Sequence, residues 1–114
     1  MIRGKVVLLP FPFDDLSTTK VRPAVCLTEP VGPHRHVVVA FITSQIPTPV
    51  LESDLVLDAK SSGFAATGLR MSSALRLHRL MTITTGVIQR ELGELPPAVL
   101  TEAGAKLKSL FGLK

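Results

Sequence analysis

The chain has 114 residues, of which 46% are hydrophobic and 19% charged, a balance that excludes an intrinsically disordered protein. A chain of this length forms a modest core without disulfides, so we expect a single domain over residues 1–114. The formal net charge of +4 permits an anionic partner without requiring one. Trp and Tyr are absent, so any stacking on nucleic-acid bases would have to use Phe, His or Arg.

Cysteine usage and hydropathy exclude several further classes. Cys26 is the only cysteine and stands in an apolar run, so an intrachain disulfide is impossible. No C-x-x-C pair or clustered His/Cys spacing predicts a metal site, and we expect neither a metal nor another cofactor. The N-terminus lacks a signal segment and no run approaches the ~18 apolar residues of a membrane span. We therefore expect a cytoplasmic protein with no membrane partner.

Short strands dominate the first half of the chain. The first is predicted at residues 5–9, and Pro10 and Pro12 are expected to end it because proline cannot donate to a central ladder. A polar loop at residues 13–20 precedes a second strand at 22–28 and a turn at 29–33. The β-branched run at 36–44 predicts a third strand.

The second half of the chain continues the pattern of short strands and then changes to the apolar spacing of a helix. Residues 45–53 are predicted to be a loop, 54–57 a short strand, 58–68 a connection with one helical turn, and 72–76 and 79–83 two further strands. Another helical turn is predicted at 85–90. Pro96 and Pro97 suit the start of a helix that Gly112 ends, with one apolar face made of Val99, Leu100, Ala103, Leu107, Leu110 and Phe111. This order predicts a small, strongly curved antiparallel sheet or barrel with a C-terminal helix packed against it.

The pair Arg22-Pro23 carries the first functional signal. Proline biases the preceding arginine toward an extended conformation at the point where the polar loop enters the second strand. The planar guanidinium fork at such a junction suits bidentate recognition of phosphate or carboxylate. The alternative is a surface arginine that happens to precede a strand.

Five phrases in order give a family resemblance. They are residues 3–13 (RGKVVLLPFPF), 20–25 (KVRPAV), 42–45 (ITSQ), 74–83 (ALRLHRLMTI) and 92–95 (LGEL). Together they resemble the MazF/PemK family of toxins from toxin–antitoxin systems, over nearly the whole chain. The resemblance implies an SH3-like barrel with a C-terminal helix and a homodimer. It also implies metal-independent cleavage of single-stranded RNA at short motifs, leaving a cyclic phosphate and a 5′-hydroxyl, and inhibition by a cognate antitoxin.

The resemblance also implies catalytic residues. The family's R-P arginine falls on Arg22 and its strand-end threonine on Thr43. In one branch of the family an R-x-D pair precedes a T-I dipeptide, which places Arg76 at the arginine and His78 at the aspartate. Imidazole titrates near neutrality, so His78 is a candidate general acid or base. The alternative is a partly exposed histidine at a barrel edge.

Further residues are candidates for RNA binding. They are Ser44, Asp15, Thr19, Lys20, Arg70 and Arg79. The basic members would contact phosphates, or else be solvated surface charges. If the third strand is regular, strand alternation predicts that Ser44 faces away from Thr43. Asp14 and Asp15 could supply a carboxylate base, although loop carboxylates more often serve turn formation.

Two other functions compete with the nuclease. One is a non-catalytic interaction module on the same fold, such as an inhibitor that captures a topoisomerase. The other is a decayed relative that only binds RNA or its former antitoxin. The presence of both Arg22 and Thr43 favours the nuclease over the decayed relative, and an interaction module would not need an arginine followed by a strand-end hydroxyl.

Overall fold

The computed structural model describes residues 1–12 and 19–114. Within these ranges six strands form one antiparallel sheet in the order β4-β5-β3-β2-β1-β6. Short 3-10 helices lie at Phe64–Thr67 and Thr85–Val87. The strands and the single α-helix are β1 Lys5–Pro12, β2 Thr19–Cys26, β3 His36–Thr43, β4 Asp54–Leu57, β5 Ser73–Thr84, β6 Arg90–Glu94 and α1 Pro97–Leu110.

The sheet is apolar on both faces, as a curled sheet requires. Successive residues of a strand point to opposite faces, so Val6 and Val7 of β1 belong to different core clusters. The first cluster lies under α1 and includes Val25, Leu75 and Ala103. The second, on the other face, includes Cys26. The predicted curved sheet with a C-terminal helix is confirmed.

The prediction that Pro10 and Pro12 end the first strand is wrong, because β1 continues to Pro12 and pairs with β2 as far as Thr19. The Gln89 N–H donates to the Leu8 carbonyl at 2.9 Å, so the even-numbered residues of β1 direct their backbone polar groups toward β6. The pairing with β6 ends at Leu8. The prolines therefore lack N–H groups only on the open side of β1, where proline is tolerated.

The two strands predicted at 72–76 and 79–83 are one strand, β5. The register against β3 shifts within it: Ala40 pairs with Leu80, but the next residue, Phe41, pairs with Arg76. Residues 77–79 therefore have no partners on β3 and form a bulge. The gap between the two predicted runs coincides with this bulge, which redirects the side chains that follow it.

The C-terminal helix begins at Pro97, as predicted. Ala103 is buried, and Val99, Leu100 and Leu107 pack on the first core cluster. Leu110 and Phe111 were expected on the same face but are exposed, and neither packs on a core cluster. Gly112 ends the helix at a positive φ of 70°, and the Leu113 N–H donates to the Lys108 carbonyl at 2.8 Å.

Across the described ranges, no helix has the length and apolar character needed to cross a membrane.

Candidate functional site

An open cavity of about 610 Å³ lies where β2 and β3 separate, and residues of β1, β5, β6 and the segment 68–71 also line it. Its described lining contains five arginines and no carboxylate or imidazole. The arginines are Arg22, Arg70, Arg76, Arg79 and Arg90. Such a concentration of one charge sign favours an anionic ligand.

Pro23 determines where β2 and β3 separate. The Leu27 N–H donates to the Val38 carbonyl of β3 at 2.8 Å, whereas the Cys26 carbonyl accepts from Gly4 on the opposite side at 2.7 Å. Odd-numbered residues of β2 therefore direct their N–H groups toward β3. Pro23 is one of these residues and has no N–H to donate.

The β2–β3 pairing ends one residue before this missing donor, at Ala24 and Phe41. If the register continued, Pro23 would face Ile42 and Arg22 would face Thr43. Because the ladder stops, Arg22 and Thr43 instead line the cavity from opposite strands. The proline thus opens the cavity between the two residues that the family resemblance singles out.

Replacing Pro23 with alanine supplies an N–H toward the Ile42 carbonyl. We expect the β2–β3 ladder to lengthen and to narrow the cavity. Any reaction that needs both Arg22 and Thr43 would then slow by about tenfold, because productive geometry is lost. The check is amide hydrogen exchange at residue 23, measured together with the reaction proposed below.

Pro10→Ala is the matched control for this substitution. It adds an N–H on the open side of β1, outside the cavity lining, so its amide is expected to exchange rapidly with no loss of activity. An amide at residue 23 that exchanged as fast as the one at residue 10 would show that the missing donor does not hold the strands apart.

Thr43 and Ser44 both line the cavity. The Thr43 hydroxyl oxygen accepts the Gln45 N–H at 3.1 Å, which orients the hydroxyl and leaves its proton to donate. The prediction that Ser44 faces away from Thr43 assumed that the strand stays regular as far as Ser44. β3 ends at Thr43, so strand alternation no longer applies at Ser44.

Three parts of the fold supply the remaining walls of the cavity. Pro23, Leu8 and Arg90 are direct cross-strand neighbours on β2, β1 and β6. Residues 68–71 follow the 3-10 helix Phe64–Thr67 and bring Leu69 and Arg70 into the lining. The bulge in β5 contributes Arg79.

Arg76 is held by a buried carboxylate. Its Nε donates to Asp54 Oδ1 at 2.9 Å and its Nη2 to Asp54 Oδ2 at 3.4 Å. Oδ2 also accepts the Leu51 N–H at 2.9 Å. Burial acts to raise the pKa of Asp54, but the hydrogen bonds from Arg76 and Leu51, with the charges of Arg76 and His78, outweigh it and lower that pKa below its ordinary value. Asp54 is therefore ionised at neutral pH.

His78 lies beside this pair and outside the cavity lining. Its Nδ1 is 3.0 Å from Ser53 Oγ and 4.0 Å from Asp54 Oδ1. A Ser-His-Asp triad needs the hydroxyl and the carboxylate on different ring nitrogens. Here both approach Nδ1, so the three residues do not form a hydrolase triad.

The cavity brings together most of the residues predicted from the sequence. It is lined by Arg22, Thr43, Arg76, Ser44, Arg70 and Arg79. Lys20 lies on β2 outside the lining. Asp14 and Asp15 lie outside the described residues, as does the side chain of Thr19.

Sequence reasoning missed Arg90 and Asp54. Arg90 reaches the cavity only because β6 pairs with β1, and Asp54 meets Arg76 only because β4 pairs with β5. No local motif marks either residue. In the described part of the chain, no group of three or more His, Cys, Asp or Glu side chains is arranged to hold a metal ion.

The family of PemK-like, MazF-like toxins of type II toxin–antitoxin systems matches residues 2–111 of the chain. The chain belongs to this family. No curated protein sequence matches it. The three solved structures described next share the SH3-like architecture of this chain. Their sequences are 15–24% identical to it, and at such identities the likeness shows the fold alone.

Three solved structures are similar over nearly their full length. The MazE–MazF complex from Deinococcus radiodurans has a TM-score of 0.77 at 21% identity, with coverage of 100% of this chain and 97% of that one. A mycobacterial endoribonuclease in complex with its cognate antitoxin has a TM-score of 0.73 at 15% identity, with coverage of 100% and 97%. The Mycobacterium tuberculosis toxin MazF-mt6 has a TM-score of 0.69 at 24% identity, with coverage of 95% and 98%.

Proposed function

We propose that the protein is a metal-independent endoribonuclease toxin that cleaves single-stranded RNA by attack of a 2′-hydroxyl on the adjacent phosphate. The observation that carries this proposal is the cavity that Arg22 and Thr43 both line, together with four further arginines. Family membership supports the same function. A non-catalytic interaction module would not require this pairing of an arginine with an oriented hydroxyl.

In the reaction, the 2′-oxygen attacks phosphorus, the P–O5′ bond breaks, and a 2′,3′-cyclic phosphate and a 5′-hydroxyl are formed. A proton leaves the 2′-hydroxyl and another reaches the 5′-oxygen. Negative charge on the non-bridging oxygens grows in the transition state, and fixed cationic donors stabilise it there most strongly. Arg22 supplies two parallel donors for these oxygens, and its charge does not titrate near neutrality.

Thr43 adds a neutral donor to the same site. Because its oxygen already accepts the Gln45 N–H, its hydroxyl proton can be directed to a phosphate oxygen. The surrounding arginines would hold flanking phosphates by counterion release, which makes binding strongly dependent on salt. His78 stays the sequence-based candidate for proton transfer, although its Nδ1 contacts Ser53 beside the cavity.

We also propose a cognate antitoxin as protein partner and a homodimer as the assembled state, in keeping with the toxin–antitoxin family. An acidic segment would suit the arginine-lined cavity electrostatically. Selectivity for a short RNA motif would depend on residues around the cavity mouth, where Ser44 and Gln45 offer polar groups to bases.

The test is cleavage of a mixed-sequence single-stranded RNA in EDTA, with DNA of the same sequence as the control. We expect RNA fragments that end in a cyclic phosphate, and intact DNA because DNA has no 2′-hydroxyl. A substrate with 2′-deoxyribose only at the mapped cleavage site should also resist. Cleavage of the DNA, or activity that appears only with added divalent metal, would contradict the proposed reaction.

A further inference from the structure

Asp54 is the only buried charged residue in the described part of the chain. It lies on the edge strand β4, directly opposite Arg76 of β5 in the register. Its side chain has no exposed surface, while that of Arg76 is 22% exposed and lines the cavity. The pair thus runs from the protein interior to the cavity wall.

Burying a carboxylate is costly, and an ion pair rarely stabilises a fold more than well-packed apolar side chains do. Asp54 is instead fully engaged: it accepts Nε and Nη2 of Arg76 together with the Leu51 N–H. The hydrogen bonds and the positive charge of Arg76 therefore offset part of the cost of burying the Asp54 carboxylate. The two N–H groups of Nη1 and one N–H of Nη2 are not used by Asp54.

Three arginines of the cavity lining differ from Arg76 because no described carboxylate holds them. Arg70, Arg79 and Arg90 are exposed, and no carboxylate among the described residues pairs with them. Long exposed side chains lose conformational entropy when they bind a phosphate. Arg76 has lost much of that entropy already, because a buried partner fixes one edge of its fork.

We propose that Asp54 is a positioning residue for RNA cleavage, which holds the Arg76 guanidinium at the cavity wall so that its remaining N–H groups meet the phosphate. This role rests on the proposed function. Asp54 itself does not contact the substrate and acts through Arg76. Preorganised donors lower the barrier because no reorganisation is needed at the moment of reaction.

The test compares Asp54→Asn with Asp58→Asn in steady-state RNA cleavage. Both changes remove one negative charge, but the Asp58 side chain is exposed and outside the cavity lining. For Asp54→Asn we expect kcat to fall about 10- to 100-fold, as loss of geometry does. KM should stay the same or decrease, because a more positive protein binds RNA more tightly. Asp58→Asn should change KM in the same direction and leave kcat unchanged.

A double-variant cycle separates positioning from a general structural role. If Asp54 acts through Arg76, then Asp54→Asn should have no further effect on kcat in an Arg76→Ala background. If the double variant instead lowered kcat by the product of the two single effects, the proposal would be overturned. A kcat of Asp54→Asn equal to that of wild type would also overturn the positioning role, while the nuclease proposal would still stand. Wild-type protein that cleaves no RNA would instead overturn the proposed function, and the positioning role with it.

NMR on the wild type keeps the inference testable if Asp54→Asn does not fold. The Arg76 Nε–H should exchange with water more slowly than those of Arg70 and Arg79, because only the first is hydrogen bonded to a buried carboxylate. Equal exchange rates for the three would show that Arg76 is not held, which contradicts the proposal.

Discussion

Arg22→Ala is expected to lower the rate of RNA cleavage by about 10²- to 10³-fold, the effect of removing one preorganised donor from a developing oxyanion. The loss should appear mainly in kcat, since phosphate charge increases in the transition state. Four other arginines of the cavity lining remain to bind the substrate. The slope of log affinity against log salt for an uncleavable DNA analogue should therefore fall only by about 0.7.

Arg3→Ala is the matched control for Arg22→Ala. Both side chains are exposed, but Arg3 does not line the cavity. Loss of overall positive charge would slow both variants equally, whereas loss of a phosphate clamp slows only Arg22→Ala. Thermal melts of both variants are measured alongside, so that a loss of rate through unfolding is separated from a loss of the clamp. If Arg22→Ala cleaves as fast as Arg3→Ala, Arg22 is not the clamp.

The prolines show which part of the fold the sequence could predict. Pro10 and Pro23 carry the same chemical information, a missing N–H and a fixed φ. Pro10 leaves β1 intact because its side of the strand is open, whereas Pro23 ends a ladder because its side faces β3. The side of a strand on which each N–H points depends on which strands pair, and that arrangement is long-range.

Some residues of the candidate site could likewise be predicted from the sequence, and others could not. Arg22 and Thr43 could be predicted because each belongs to a phrase shared with a family, and both line the cavity where the β2–β3 pairing has ended. Asp54 could not, since its partner lies 22 residues away across an edge strand. Arg90 enters the cavity through the pairing of β6 with β1, which local periodicity does not indicate.

Gly93 also has a role that only the packing explains. The 3-10 helix Phe64–Thr67 docks on β6, and an added Cβ at Gly93 would overlap the Ala66 carbonyl oxygen and lie 2.6 Å from the Thr67 carbonyl carbon. The approach is reciprocal, because a Cβ at Gly68 would overlap the Leu92 carbonyl oxygen. Two glycines therefore allow the backbone segments to touch, and this contact places residues 68–71 beside the cavity.

Gly93→Ala should consequently destabilise the protein by about 3 kcal/mol, because the colliding atoms are backbone and cannot rotate away. In a domain of this size that corresponds to a decrease in Tm of roughly 10–20 °C. At temperatures below its Tm the variant should also cleave RNA more slowly than wild type, since Leu69 and Arg70 lose their support at the cavity wall. Differential scanning calorimetry and the RNA assay measure the two effects.

Gly104→Ala makes the same chemical change as Gly93→Ala, but we expect it to stabilise the protein slightly. Gly104 lies inside α1, and an added Cβ there meets nothing within 4 Å. Alanine in a helix interior is favoured over glycine by about 0.5–1 kcal/mol, so this variant should melt slightly above wild type and cleave normally. If Gly93→Ala melted together with Gly104→Ala, β6 and the 3-10 helix could not be in contact, and the cavity would lack the wall that carries Arg70.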